Sequence, residues 1–592
     1  MESLLILNVE GKIKLSRTYD LVLYLNNNLL NFGIKHILLD DLLNKNTNSI
    51  IYKKIIRFSK TWYKPFEKNL FYEELSLPNL VEMSVLSFWP AFLKIEILSK
   101  FIKRHKPKEI HLITNNEEDI RIIKELTKDK KINFSFKLVK TKIKRKFEFK
   151  KSFYPLIAKL QNLLLKIYLI KNHKKNILFL GNVRQTLPLL KELKKNKQYA
   201  VIRAGENLGK GVFVEHSDYY FTFKKNKTPK KIRSLMQKKF NEFVNHKDFV
   251  NNPQLLILKD QFKRMFLEDF SNLIYYIKKF KKINSKIDMI VAHNDILSFE
   301  KSLILTANKL KIPTLTMIEG FLPDKQMGKD GLFIPFNAEK IALFSKSQKD
   351  FILKNYKISE DRLNVIGYPL FDQYYNEKPI KKEEIYKRYN VPLDKKIVLY
   401  TAERYSKDKF KGSIFGAFTQ KQCELVYEEL FNSFKDFKDL FLIVKKHPSG
   451  SADDELINNI AKKTNFRNYV ISNDLDIHNL LNASYLIITR LSNMGLEAML
   501  LGKYVIIMDT YLNSNDNFGY TRFNASLHAK KKWDLKNLLN KLTKNKNLQI
   551  DLKRNIKKFV IYNYSVNDGK SSERMANLIK EMTNNKSYKQ KT

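Results

Sequence analysis

Apolar positions in this chain fall into short runs bounded by polar clusters, with stretches of helical period between them. Residues 4–8, 36–39 and 110–114 are such runs, and 17–31, 91–104 and 117–128 carry the helical pattern. That alternation predicts an α/β segment with a parallel sheet. A basic stretch follows, with Lys140, Lys142, Lys144, Arg145, Lys146, Lys150 and Lys151. Next comes an apolar helical run over 153–170, interrupted by Lys159, Gln161, Asn162 and Lys166 and closed by Lys171, His173, Lys174 and Lys175.

A second α/β series opens at 176–181 and continues with a strand at 288–292, a helix near 297–310 and a strand at 313–317. A third begins with a strand at 340–344, a helix near 347–356 and a strand at 363–366. It runs on through strands at 397–401, 442–446, 469–472, 485–489 and 504–508, with helices near 418–434 and 492–501. The expected fold is α/β, with two facing Rossmann-like domains behind an additional N-terminal α/β segment. The expected divisions are 1–145, 146–335 and 336–582, with a frayed tail at 583–592. Sheets of this kind bind ligands beyond the carboxyl ends of their strands, so chemistry is sought just after each strand.

Composition narrows the class. The chain has 592 residues, 43% of them hydrophobic and 12% aromatic, which supplies two or three cores and excludes disorder. Only 17 glycines and 15 prolines are present, so collagen-like and linker-like proteins are excluded. Lys and Arg number 109 against 61 Asp and Glu, a net charge of +48. Such an excess points to nucleic acid, anionic lipid or a phosphorylated substrate. It is also what AT-rich coding produces, and here it is spread along the whole chain. A nucleic-acid-binding protein is the alternative of another class, but no reading module accompanies the charge, so no specific nucleic acid is expected as a partner. The single cysteine, Cys423, excludes a disulfide framework and a Cys-based zinc site. Glu2 stands where a signal peptide carries a base, and no run reaches about 18 apolar residues. The expected location is cytoplasmic, or peripheral on the inner face of the cell membrane.

The strand-end residues carry the candidate chemistry. Lys445, Lys446, His447, Pro448 and Ser449 emerge together from one strand. Two cations, an imidazole and a hydroxyl suit a diphosphate, whose oxygens take charge-assisted donors and whose leaving phosphate a histidine can stabilise or protonate. A solvated lysine pair with a turn histidine is the plain alternative. Ser492 and Asn493 stand where a strand turns directly into a helix, and free N–H groups there would attract an anion. Ser492 as a simple cap is compatible with that. Glu497, inside the same helix, either accepts from a ribose or stands in a solvated row. Glu319, before Gly320 at a strand tip, is either a general base or an exposed loop acid. Asp474 and Asp476 have the spacing of a metal–nucleotide pair, yet they open a helix at Ile477, so Asp476 reads as an N-cap and no metal is expected.

Taken in order, the elements from Ile312 onward resemble a GT-B glycosyltransferase of the bacterial surface-polysaccharide type. They are similar in pattern to sialyl-, polysialyl- and Kdo-transferases, with the CDP-glycerol glycerophosphotransferases nearby. The motifs are Ile318-Glu319-Gly320, His447-Pro448, Ser492-Asn493, the segment from Gly367 through Pro369 to Asp372, and Leu496 to Lys503. The resemblance implies inverting, metal-independent transfer of a sugar from a CMP- or CDP-linked donor to a surface glycan, such as capsule or lipopolysaccharide. It implies Glu319 as the base on the acceptor hydroxyl and His447 on the donor phosphate. It places Lys446, Ser449, Ser492, Asn493, Glu497, Thr401 and Gly367 around the donor. The nucleotide sugar is a co-substrate, and no further cofactor is implied. Ile318 stands where the pattern has an acid, and Asn493 where it has a second hydroxyl. Glycerophosphate transfer from CDP-glycerol is therefore the alternative. Acceptors of this class are often carried on lipid, which would set the basic-flanked segment 140–175 against an anionic surface. The consecutive Leu163, Leu164 and Leu165 argue instead for burial on several sides.

Overall fold

The structure, a computed structural model, describes residues 1–8, 18–25, 35–38, 42, 45–128, 130–139, 154–171, 173–181, 183–205, 219–223, 228–318, 336–405, 420–448, 450–474, 476–490, 492–510, 519–566 and 568–584. They fall into two compact units. One is built from Met1–Tyr154 with Lys225–Tyr276, the other from Pro155–Lys224, Ile277–Asp408 and Phe415–Thr592.

The first unit holds a parallel sheet of strands β1 (Ser3–Asn8), β2 (Leu21–Tyr24), β3 (His36–Leu38), β6 (Glu109–Thr114) and β7 (Asn133–Leu138), in the order β3-β2-β1-β6-β7. A short antiparallel hairpin, β4 (Phe71–Tyr72) with β5 (Leu75–Ser76), lies between β3 and β6 in sequence. Strand β2 corrects the helix expected over 17–31. All four of its residues are buried, and a short run buried on both faces has no period to reveal it. Residues 225–276 pack with this unit, although the sequence divisions put them in the next domain. The cause is aromatic. Trp62 and Phe262 lie 4.7 Å apart, Phe66 and Phe243 4.6 Å, and Phe88 and Phe262 5.3 Å.

The second unit holds two larger parallel sheets. The seven-stranded sheet comprises β8 (Lys175–Leu180), β9 (Tyr199–Gly205), β10 (Tyr219–Thr222), β11 (Met289–Ala292), β12 (Thr314–Met317), β13 (Lys340–Leu343) and β14 (Leu363–Val365). Its order is β10-β9-β8-β11-β12-β13-β14. The six-stranded sheet comprises β15 (Lys396–Thr401), β16 (Leu440–Lys445), β17 (Tyr469–Ser472), β18 (Ser484–Thr489), β19 (Tyr504–Met508) and β20 (Leu527–Ala529). Its order is β17-β16-β15-β18-β19-β20. Strands such as β16, buried at all six positions, read as continuous apolar runs because helices cover both faces. Two Rossmann-like sheets in one unit make the GT-B architecture.

The division expected between 335 and 336 falls inside a sheet. Leu315 pairs with Lys340 and Ile341 with Leu363, so β13 and β14 complete the seven-stranded sheet. The helix Ser571–Asn584 returns to that sheet, where Met575, Leu578, Ile579 and Met582 share a core with Ile177, Phe179 and Val201. Residues 585–592, expected to fray, lie outside the described residues.

The helix Tyr154–Lys171 departs from burial on several sides. Leu165 and Leu169 are buried, whereas Leu160, Leu163, Leu164 and Ile167 are exposed at the spacing of one helical face. The basic residues from Lys140 to Lys151 lie outside the described residues. No helix among the described residues is long and apolar enough to cross a membrane.

Candidate active site

The order of the six-stranded sheet reverses between β15 and β18, which is where open α/β sheets take ligands. The last residues of these strands hold each other, Thr401 Oγ1 donating to Thr489 Oγ1 at 2.7 Å. Just beyond them, Arg490 pairs with Glu403 at 3.2 Å, both side chains nearly buried. Arg404, which is exposed, directs Nε at His447 Nε2 over 3.4 Å.

His447 leaves β16 in a turn fixed at both ends. Its N–H donates to Ser451 Oγ at 2.5 Å, and the Gly450 N–H donates to its carbonyl at 3.0 Å. Gly450 adopts a φ of +112°, a conformation glycine takes without strain. Burial, then Arg404 and Lys445, push the His447 imidazole down to about 4, so it is neutral at neutral pH. A phosphate anion at this position would reverse the electrostatic part of that shift.

The other predicted residues distribute as follows. Lys445 is buried and turned onto the Lys446 carbonyl at 2.9 Å. Lys446 sits on the same edge but pairs with Asp454. Ser492 and Asn493 follow β18 on this edge. The helix Met494–Leu500 has only seven residues, and its first N–H groups are engaged. Met494 donates to Ser492 Oγ, Gly495 to the Ser492 carbonyl, Leu496 to the Tyr520 hydroxyl and Glu497 to the Asn493 carbonyl. This corrects the expectation of free N–H groups for an anion. Tyr520 also donates to the Ser492 carbonyl at 2.6 Å. Its ring occupies the place of a Cβ at Gly495, 2.7 Å away, so a glycine is required there.

Glu497 is buried and accepts from the Tyr374 hydroxyl, which corrects the solvated-row reading. Gly367 follows β14 on the other sheet, with φ +86° and Ser571 Oγ 2.3 Å from where a Cβ would stand. Its position serves the crossing of the chain out of that sheet. Asp474 and Asp476 share Arg388 at 3.1 Å each, Tyr389 donates to Asp474 at 2.8 Å, and Asp476 caps its helix by accepting from Asn479 N–H. Among the described residues no cluster suits a metal ion. Glu319 and Ser449 lie outside the described residues.

Sequence reasoning missed Glu403, Arg404 and the partner role of Arg490. The strand-end rule would have reached the first two, which follow 397–401 directly. A cavity of about 500 Å³ lined by Lys191, Lys195, Asp372, Glu377, Lys570 and Glu573 carries acids and cations in balance and lies away from these strand ends.

The two Rossmann-like sheets, with cationic and neutral donors gathered where β15, β16 and β18 end, define the class as a GT-B-type transferase. Residues 339–581 match the family described as CDP-Glycerol:Poly(glycerophosphate) glycerophosphotransferase. By that match the chain is an enzyme, a transferase drawing on a nucleotide-activated donor. No curated relative matches the chain. Among solved structures, the wall teichoic acid polymerase TagF is similar at 16% identity over 74% of this chain and 99% of its own, with a TM-score of 0.44. The S. aureus MnaA–UDP co-structure is similar at 18% identity over 69% and 97%, TM-score 0.46. UDP-GlcNAc 2-epimerase from Neisseria meningitidis, bound to UDP-GlcNAc, is similar at 12% identity over 69% and 100%, TM-score 0.46.

Proposed function

We propose that this enzyme transfers glycerol phosphate from CDP-glycerol to a growing surface polymer of the teichoic-acid type, with His447 and Arg404 on the donor phosphates. The observation that supports it is the neutral His447 set between Arg404 and Lys445, inside the family match at 339–581. In the transfer, the acceptor hydroxyl oxygen forms a bond to the glycerol-bearing phosphorus. The bond from that phosphorus to the bridging oxygen of CMP breaks, and CMP leaves with the electron pair. Glu319 takes the hydroxyl proton. Arg404 and His447 stabilise the charge gathering on CMP, a role in which fixed donors contribute strongly. A sialic-acid-like or Kdo-like CMP donor would use the same edge but be attacked at a sugar carbon.

A donor panel tests the reading. CDP-glycerol, CMP-linked sugars and UDP-GlcNAc are compared for thermal stabilisation, where a ligand at ~100 times its Kd adds about 2.7 kcal/mol. CMP release is then followed with a glycerol phosphate primer. Stabilisation and CMP release with CDP-glycerol are expected. Stabilisation by CMP-sugars alone would return the assignment to sugar transfer.

The same reading puts the acceptor at an anionic membrane surface. The face formed by Leu160, Leu163, Leu164 and Ile167 supplies apolar contact, and the flanking lysines supply charge worth about 1 kcal/mol each near such a surface. Wild type should float with anionic vesicles at low salt. Variants with those four residues changed to Ser, or with Lys142, Lys144, Arg145 and Lys146 changed to Gln, should not. Equal flotation of all three would remove this segment from the membrane contact.

A further inference from the structure

The seven-stranded sheet has its own reversal of order, between β8 and β11, and the donor-side chemistry leaves the residues there unused. Gly181 ends β8 with a φ of +104°. A Cβ at that position would lie 1.5 Å from His293 Nδ1, so only glycine lets the imidazole lie against the strand end. From β9, on the far side of β8, the buried Arg203 reaches the same point, its Nη2 donating to the Gly181 carbonyl at 3.2 Å.

Asn294 fixes the imidazole's tautomer. Its Oδ1 accepts from the Ile296 N–H at 3.4 Å, which leaves Nδ2 as the donor to His293 Nε2 at 2.8 Å. The ring proton therefore sits on Nδ1, on the Gly181 side, and His293 serves there as a donor. Asp295, the acid beside them, is turned to other work. Its Oδ2 accepts from the N–H groups of Asn337 at 2.7 Å and Ala338 at 2.8 Å, and its carbonyl accepts from Asn337 Nδ2 at 3.1 Å. A guanidinium and an Nδ1–H thus meet at Gly181 with the neighbouring carboxylate directed elsewhere. That is the donor set of an oxyanion.

We propose that Arg203 and His293 form an acceptor-side subsite for a phosphate ester, with Gly181 and Asn294 as its positioning residues. The proposal rests on the glycerophosphotransferase reading and names what the acceptor must carry. Strand register supports the side of the reaction. Ala292 of β11 pairs with Thr316 of β12, so His293 follows one residue after its strand's member of that pair, and Glu319 three residues after the other. The phosphate held at Arg203 belongs to the acceptor unit next to the hydroxyl that Glu319 deprotonates.

Two measurements test this. With CDP-glycerol saturating, rates are compared for a primer ending in glycerol phosphate and for an otherwise identical primer lacking the phosphate beside its terminal hydroxyl. Arg203→Gln should raise KM for the phosphorylated primer roughly ten- to a hundredfold, the worth of hydrogen bonds to a charged group. Arg203→Lys should restore part of the loss, and KM for the uncharged primer and the donor should stay put. A rise of equal size for both primers would show a purely structural arginine and overturn the proposal.

The second measurement needs neither turnover nor a variant that folds well. Glycerol 3-phosphate, inorganic phosphate and glycerol are titrated, without donor, into wild-type protein carrying ¹⁵N-labelled histidine, with the His293 signals assigned through His293→Gln. A saturable shift with glycerol 3-phosphate, and none with glycerol, is expected. Silence overturns the subsite, and equal affinity for inorganic phosphate overturns its assignment to the acceptor. A wild type that binds glycerol 3-phosphate at His293 yet does not turn over CDP-glycerol supports the subsite and sinks the glycerophosphate reading alone.

Discussion

At the carboxyl edge of the five-stranded sheet, Asn8 and Thr114 end the two central strands, and both side chains turn onto Asp119, at 2.6 and 2.7 Å. Asp119 is fully buried, and the buried Lys94 lies 2.6 Å from it and 3.2 Å from Glu118. At the corresponding edge of the six-stranded sheet, Thr401 and Thr489 satisfy each other. The residues beyond them include Arg404 and a His447 held neutral beside cations. Both sheets set their first strand at the centre and reverse order beside it. One edge ends in neutralised charges that hold a domain together. The other ends in donors that outnumber acceptors. Topology marks where a ligand can bind, and the balance of charge decides whether one does.

Damage to the two edges should therefore separate stability from turnover. The largest effect is expected from Glu319→Gln, which should lower turnover by about 10²–10⁴-fold, as loss of a general base does, with donor affinity and melting temperature kept. Near wild-type turnover would remove Glu319 from the mechanism. Next comes Lys94→Met, which leaves Asp119 buried without its cation and should cost about 3–5 kcal/mol in urea unfolding. Donor affinity of the folded fraction should not change. A loss of stability too small to measure would mean that Asp119 is held by Asn8 and Thr114 alone.

The third sheet edge sharpens the contrast through pH. Burial pushes the Asp295 carboxyl from 3.8 up to about 6. A raised carboxyl pKa means the folded state holds the proton more tightly than the unfolded one. The resulting stabilisation is complete below 3.8 and is lost as pH rises through about 6, by at most about 3 kcal/mol. Asp295→Asn should flatten unfolding free energy over that window, and an unchanged slope would place its cause elsewhere.

The smallest effect is at His447. Its value near 4 without donor should rise beside the donor phosphates, so binding takes up a proton and affinity strengthens as pH falls from neutrality. The gain is at most about tenfold per pH unit. Calorimetry in buffers of different ionisation enthalpy should show proton uptake in wild type and none in His447→Gln. Equal uptake in both would assign the proton to another group.

Local chemistry was legible in the sequence, and long-range pairing was not. The strand leading to His447 and the cap at Asp476 follow from hydrophobic runs and from residues a few positions apart. The partner of His447 is Arg404, 43 positions away, and only the β15–β16 pairing brings the two together. Glu497 reads as a surface residue until Tyr374, 123 positions earlier, is folded against it. The domain division at 335 failed for the same reason. The β12–β13 pairing that joins the two series leaves no mark on the composition of either strand. Strand β2 is different, since its four buried residues carry no period by which to choose strand over helix.

The return of the helix Ser571–Asn584 to the seven-stranded sheet sets a timetable for biosynthesis. Lys175, the first residue of β8, donates to the carbonyl of Thr583, 408 positions later. At about 5–20 residues per second, roughly 20 to 80 s separate the synthesis of those two residues. Throughout that interval Ile177, Phe179 and Val201 await the four apolar residues that complete their core. The nascent chain thus carries an uncovered apolar sheet face for most of its time on the ribosome, and it is there that a folding chaperone would find its longest opportunity to bind.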